Sequence, residues 1–192
     1  MREIALHILD LIQNSIAASS KKVFLDVNED EEGYFVFRIC DDGKGMSADL
    51  LQKIRDPFVT TRLTRDIGLG IPFIAMSTEQ SGGHLTIRSK EDVGTTIEAA
   101  FLRDHLDRPP LGDVAATIRV ILVTNPDLQF IVRYRYGNNC FEFDSLAAKE
   151  ILGEEMDFSF PEVYLWLDAY LKQEISKVRN EQEATECKHW KI

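Results

Sequence analysis

Six residues, Asp41-Asp42-Gly43-Lys44-Gly45-Met46, constrain this chain more than any other segment. They follow an alternating apolar stretch, Phe35 to Cys40, which has the period of a strand with one buried face. A carboxylate at the end of so apolar a strand, followed by two glycines, marks a turn whose backbone tolerates close approach. Three further segments stand in order around it. Upstream, Asp10 and Asn14 are four residues apart, so on a helix they project from one face. Downstream come Gly68-Leu69-Gly70 and then Gly94-Thr95-Thr96.

Periodicity places these segments on elements. Apolar residues at Ile4, Ile8, Leu11, Ile12 and Ile16 predict a helix over residues 3–18, ended by Ser19-Ser20. Val23, Leu25 and Val27 predict a strand, the charged residues 29–33 a turn, and Phe35, Phe37 and Ile39 the returning strand of a hairpin. A short helix follows over residues 47–55 with Ser47 as N-cap, and Asp56-Pro57 ends it. Residues 58–66 are polar, basic and rich in Thr. Helix resumes from Ile71 to about Gln80, and strands follow at His84–Arg88 and Thr95–Phe101. The expected fold class is α+β, a two-layer sandwich with helices on one face of a largely antiparallel sheet. A boundary is expected near Arg108-Pro109-Pro110. Beyond it, helix over 112–124, strands at 130–134 and 140–143, and helices at 145–152 and 161–181 predict a small C-terminal α/β appendage over 111–182, with a frayed tail over 183–192.

Composition narrows the function. The 192 residues carry a net charge of −10, which argues against duplex DNA binding through phosphate neutralisation. No segment has the length and apolarity of a membrane span. Cys40, Cys140 and Cys187 are scattered, without a C-x-x-C pair, so the expectation is reduced thiols in a cytoplasmic protein with no zinc site.

The ordered set resembles the nucleotide-binding boxes of the GHKL superfamily, whose fold is the Bergerat ATP-binding fold and which includes gyrase-type ATPases, Hsp90, MutL and the histidine kinases. The resemblance implies ATP and Mg²⁺ as ligands. It makes Asn14 the magnesium ligand and puts Asp10 where hydrolysing members carry a water-activating Glu. It makes Asp41 the acceptor for the adenine amino group, with Gly43, Gly45 and Met46 beside the base and Thr95 supporting Asp41. Phe58-Val59-Thr60-Thr61-Arg62 is similar to the phenylalanine box of histidine kinases, which implies that Phe58, Thr60, Thr61 and Arg62 serve the nucleotide. Gly68, Leu69, Gly70 and Ile71 match the second glycine box. Asp66 stands where that box usually has its first glycine.

Two functional classes remain open on these residues. One is an enzyme that passes the γ-phosphoryl group of ATP to an unidentified protein partner in trans. The other is a nucleotide-gated binding module whose C-terminal region engages a partner, with slow hydrolysis through Asp10 as a third outcome. The chain starts at the helix bearing Asp10 and Asn14, with no phosphoacceptor hairpin expected ahead of it. His7, on that same helix, is expected to be a packing or surface residue.

Overall fold

The computed structural model of the chain describes residues 3–30, 33–55, 70–153 and 157–179. In order, its elements are α1 (Ile4–Ala17), β1 (Lys22–Glu29), β2 (Tyr34–Asp41), α2 (Ala48–Arg55), α3 (Gly70–Gln80), β3 (His84–Lys90) and β4 (Gly94–Leu102). The chain continues through α4 (Val114–Thr124), β5 (Gln129–Tyr136), β6 (Asn139–Asp144), α5 (Ser145–Leu152) and α6 (Pro161–Arg179). The helix at 48–55 starts as expected: the Leu50 N–H donates to Ser47 Oγ at 3.4 Å. Asp113 caps α4 by accepting from the Ala116 N–H at 2.8 Å, which shortens the helix expected from residue 112.

The strands form one six-stranded sheet in the order β3-β4-β2-β1-β5-β6. Four of its five pairings are antiparallel, and β1 with β5 is parallel. A parallel partner requires a crossover rather than a tight turn, and α4 lies in that connection. The two strands beyond Pro110 therefore continue the sheet of the N-terminal residues, alongside β1.

Strand alternation decides which face is buried. Val23, Leu25 and Val27 of β1, Phe37 of β2, Ala99 and Phe101 of β4, and Phe130, Val132 and Tyr134 of β5 are fully enclosed. Against them lie Ile8 and Ile12 of α1, Ile74 of α3, Ile118 of α4, and Leu167 and Leu171 of α6, in one continuous core. Several of the alternate positions, pointing away from the core, carry charge. Arg38 meets Glu98 at 2.5 Å, Arg135 meets Asp26 at 2.8 Å and Arg133 meets Glu142 at 2.7 Å, each pair joining neighbouring strands. These pairs fix which strand side faces outward, and the most exposed of them, Arg38 with Glu98, is worth under about 1 kcal/mol.

Cys40 is a free thiol, whereas Cys140 is disulfide-bonded, which departs from the expectation of three reduced cysteines. No helix among the described residues is long and apolar enough to cross a membrane.

The far end of the sheet is tied to α6 by a buried acid. Glu29, 4% exposed, closes β1. Its Oε1 accepts from the Tyr134 hydroxyl at 2.5 Å and faces Arg179 Nε at 3.0 Å. Burial and the neighbouring carboxylate push the Tyr134 phenol far above its usual pKa, so this hydroxyl stays a donor. The Asn139 side-chain amide also donates to the Val178 carbonyl at 3.2 Å. Losing one donor to a buried charged group costs about 1–3 kcal/mol. Arg179→Ala is therefore expected to lower unfolding stability by about 1–3 kcal/mol in urea titration, because half of its length is exposed while Glu29 is not. Tyr134→Phe should cost a similar amount, and no change in the urea midpoint for either variant would remove this anchor.

Candidate functional site

The C-terminal end of β2 and the facing side of α1 enclose a cavity of about 310 Å³ whose lining includes Asn14, Ser15, Asp41, Met46, Ile71 and Thr95. A larger hollow of about 620 Å³ lies between residues 111–115, β5 and α6. That hollow is lined by none of the residues singled out by sequence motifs, so the smaller cavity is the candidate site.

Asp41 organises it. Its Oδ2 accepts from Ser15 Oγ at 2.7 Å. Its Oδ1 accepts from the Gly43 N–H at 3.0 Å, the Thr95 N–H at 3.3 Å and Ser20 Oγ at 3.3 Å. The donors come from α1, from the end of the α1–β1 turn, from the turn after β2 and from the start of β4. The carboxylate stays half-buried at the cavity wall. A side chain surrounded by donors on the protein side retains acceptor capacity only toward the cavity, which suits a ligand that donates.

Two glycines make the wall thin. Gly45 has φ +60° and a Cβ there would overlap the Lys90 carbonyl; Gly94 has φ +129° and a Cβ there would overlap the Asp41 carbonyl. Both combine a left-handed backbone with a close approach, and only glycine accepts the two together. Ser89 then joins the pieces. Its Oγ accepts from the Met46 N–H at 2.9 Å, pairs with Thr95 Oγ1 at 2.9 Å and donates to the Gly94 carbonyl at 3.1 Å.

At the other end of the cavity, Asp10 and Asn14 meet the start of α3. A Cβ on Gly70 would overlap Asp10 Oδ2 and lie 3.6 Å from Asn14 Nδ2. Gly70 is thus required by close packing against α1 as well as by any role in a turn. Asp10 Oδ2 is buried and has no hydrogen-bond partner. Ile71, 7% exposed, belongs to both the core and the cavity wall. The first residues of α3 leave unpaired backbone N–H groups, and such a helix end favours anions.

The structure thus gathers Asp10, Asn14, Asp41, Gly43, Gly45, Met46, Gly70, Ile71 and Thr95 around one region. Phe58, Thr60, Thr61, Arg62, Gly68 and Leu69 lie outside the described residues. Sequence reasoning missed Ser15, Ser20 and Ser89, whose hydroxyls build the support of Asp41 and Thr95. Ser15 directly follows Asn14 on the same helix, which was the available signal. His7 is 1% exposed, so of the two expectations for it burial holds and surface exposure does not.

Residues 2–105, more than half of the chain, match the family model described as histidine kinase-, DNA gyrase B-, and HSP90-like ATPase. Among curated proteins, the sensor kinase CckA of Brucella abortus (strain 2308) is 38% identical over 158 residues, covering 70% of this chain and 17% of that protein. The sensor histidine kinase ZraS of Escherichia coli (strain K12) is 34% identical over 91 residues, covering 47% of this chain and 19% of that one. The chain therefore spans less than a fifth of the length of either kinase. Among solved structures, the Aquifex aeolicus MutL ATPase domain complexed with ADP aligns with a TM-score of 0.45 and 19% identity, covering 71% of this chain and 60% of that one. With the matching segment containing every part of the cavity described above, the chain belongs to the histidine kinase-, DNA gyrase B- and HSP90-like ATPases, as an ATP-binding module of histidine-kinase-like type.

Proposed function

We propose that the chain binds magnesium-ATP in this cavity and passes the γ-phosphoryl group to a protein partner in trans. The observation that carries the reading is the Asp41 carboxylate, held by four donors and open only to the cavity. Adenine presents an amino donor there, whereas guanine would present an oxygen. Gly43, Gly45 and Met46 flank the base, and Thr95 holds Asp41 in place.

The triphosphate then lies toward Asn14 and the start of α3, where Gly70 and Ile71 contribute backbone N–H groups. The motif likeness assigns Phe58, Thr60, Thr61, Arg62, Gly68 and Leu69 to the nucleotide as well, with Arg62 the residue whose charge suits a phosphate. Asn14 offers an oxygen donor of the kind magnesium prefers, and this cation keeps most of its waters. Bound there, the metal would neutralise phosphate charge.

A second activity of the same site is favoured by the place of Asp10, one turn from Asn14 on α1 and against the start of α3. In slow hydrolysis, a water oxygen bonds to the γ-phosphorus as the bond to the β–γ bridging oxygen breaks. The water's proton passes to Asp10, and ADP and phosphate leave. In transfer, a side chain of the partner takes the place of that water. The net charge of −10 favours a protein over a nucleic acid as that partner.

Two measurements test these roles. Asp41→Asn keeps the shape but removes the charge and turns an amide N–H toward one of the four donors. A hydrogen bond to a charged group is worth about 1.5–3 kcal/mol, so ATP affinity by calorimetry should drop roughly tenfold or more. Equal affinity in a variant with a native melting profile would remove adenine recognition from Asp41. The second measurement follows label from γ-labelled ATP in the presence of a native lysate. Asn14→Ala should abolish label transfer to protein, and Asp10→Asn should spare that transfer while suppressing free phosphate release. Fast partner-free hydrolysis that vanishes in Asp10→Asn would make the protein an ATPase first.

A further inference from the structure

The described residues contain one side chain whose polar atoms are all buried and all without a partner: His7, at both Nδ1 and Nε2. Arg119 and Arg133 each leave one nitrogen unpaired, but each holds a carboxylate through another. His7 has no such compensation. Burial lowers its pKa, so the ring is neutral, with one N–H to donate and one nitrogen to accept.

A neighbour with the complementary deficit lies one helical turn away. Asp10 Oδ2 is buried and unpartnered, and Gly70 packs closely against it. Residues three apart on a helix have Cβ atoms about 5–6 Å from each other. Side chains so placed are neighbours on the helix surface, near enough for one water to bond to both. Buried polar groups in folded proteins find partners, commonly an ordered water.

We propose that His7 is a positioning residue for Asp10, joined to it through one buried water beneath the start of α3. The His7 ring N–H donates to the water, and the water donates to Asp10 Oδ2. The link fixes the rotation of the Asp10 carboxylate so that its other oxygen faces the nucleotide cavity. His7, Asp10 and Asn14, at spacings of three and four, then form a polar stripe along α1 with separate tasks: Asn14 for the metal, Asp10 for the proton, His7 for the aim of Asp10. A carboxylate one methylene shorter than Glu has little reach to spare, and fixing its rotation compensates for that. The proposal rests on Asp10 as proton acceptor in the slow hydrolysis of ATP.

The test has one arm without nucleotide and one with it. In the full chain, nitrogen NMR of the histidine rings reports the hydrogen bonding and tautomer of each imidazole. Asp10→Asn should shift the His7 ring nitrogens and leave those of exposed His84 in place; an unmoved His7 overturns the link. In the second arm, His7→Leu should lower kcat for phosphate release roughly tenfold, a fraction of what general-base catalysis supplies, with ATP affinity unchanged. His7→Gln, which keeps an N–H, should recover part of that loss. In an Asp10→Asn background, His7→Leu should have no further effect. Unchanged kcat in folded His7→Leu, or equal losses in the Leu and Gln variants, overturns the positioning role. If Asp10→Asn leaves hydrolysis intact, the reading of Asp10 as proton acceptor fails, and the NMR arm alone decides whether the two residues are joined. That arm also decides if His7→Leu does not fold.

Discussion

Everything that makes the cavity a site depends on where the Asp41 carboxylate is held. Four donors from four separate parts of the chain converge on its two oxygens. In a setting half removed from water, such charge-assisted bonds are stronger than neutral ones. They also do geometric work. Ser15 fixes α1 against the end of β2, Ser20 fixes the turn into β1, and Thr95 fixes the start of β4. The Asp41 backbone imposes its own condition, since its carbonyl lies where a side chain at position 94 would begin. Glycine at 94 and aspartate at 41 are therefore two halves of one local requirement, which puts both within a single strand pair of the antiparallel ladder.

Much of this was legible in the residues alone, and the reason is period. Phe35, Phe37 and Ile39 alternate because one face of β2 is buried, and α1 shows its apolar stripe because only one side meets the sheet. Cap and turn chemistry gave most helix limits to within a few residues, with Ser47 capping as expected and Asp113 as an unanticipated cap. What did not show was pairing. Nothing in Phe130, Val132 and Tyr134 says whether they sit beside β1 or form a sheet of their own, because alternation reports a buried face and not a neighbour. The parallel ladder with β1 is a tertiary outcome.

The site divides the same way. Asp10, Asn14, Asp41 and the glycines were legible because their order and spacing carry a pattern. Ser15, Ser20 and Ser89 were not, because a serine at a helix end or in a strand is ordinary until its partner is known. The contact of Gly70 with Asp10 joins residues far apart in sequence, and glycine at 70 has a second explanation in the turn it closes. A residue with two sufficient causes reveals neither from sequence. Burial of His7 was open for a related reason: on a helix flank, one position separates the core from the cavity.

The place of β1 in the sheet has a consequence for how the molecule can be divided. The family match ends at residue 105, but the hydrogen-bonded sheet does not end there, since β1 is paired on both sides and β5 runs along its whole length from Lys22 to Glu29. A fragment cut at the Pro109-Pro110 connection would carry all the described nucleotide-side residues and still lack half of what satisfies β1. Eight residues of backbone would become an open edge, with Val23, Leu25 and Val27 directed toward a core missing its α4 and α6 cover. Open, apolar, uncharged-on-one-side edges recruit other strands. The segment that matches the family model and the segment whose sheet is complete are, in this chain, different lengths.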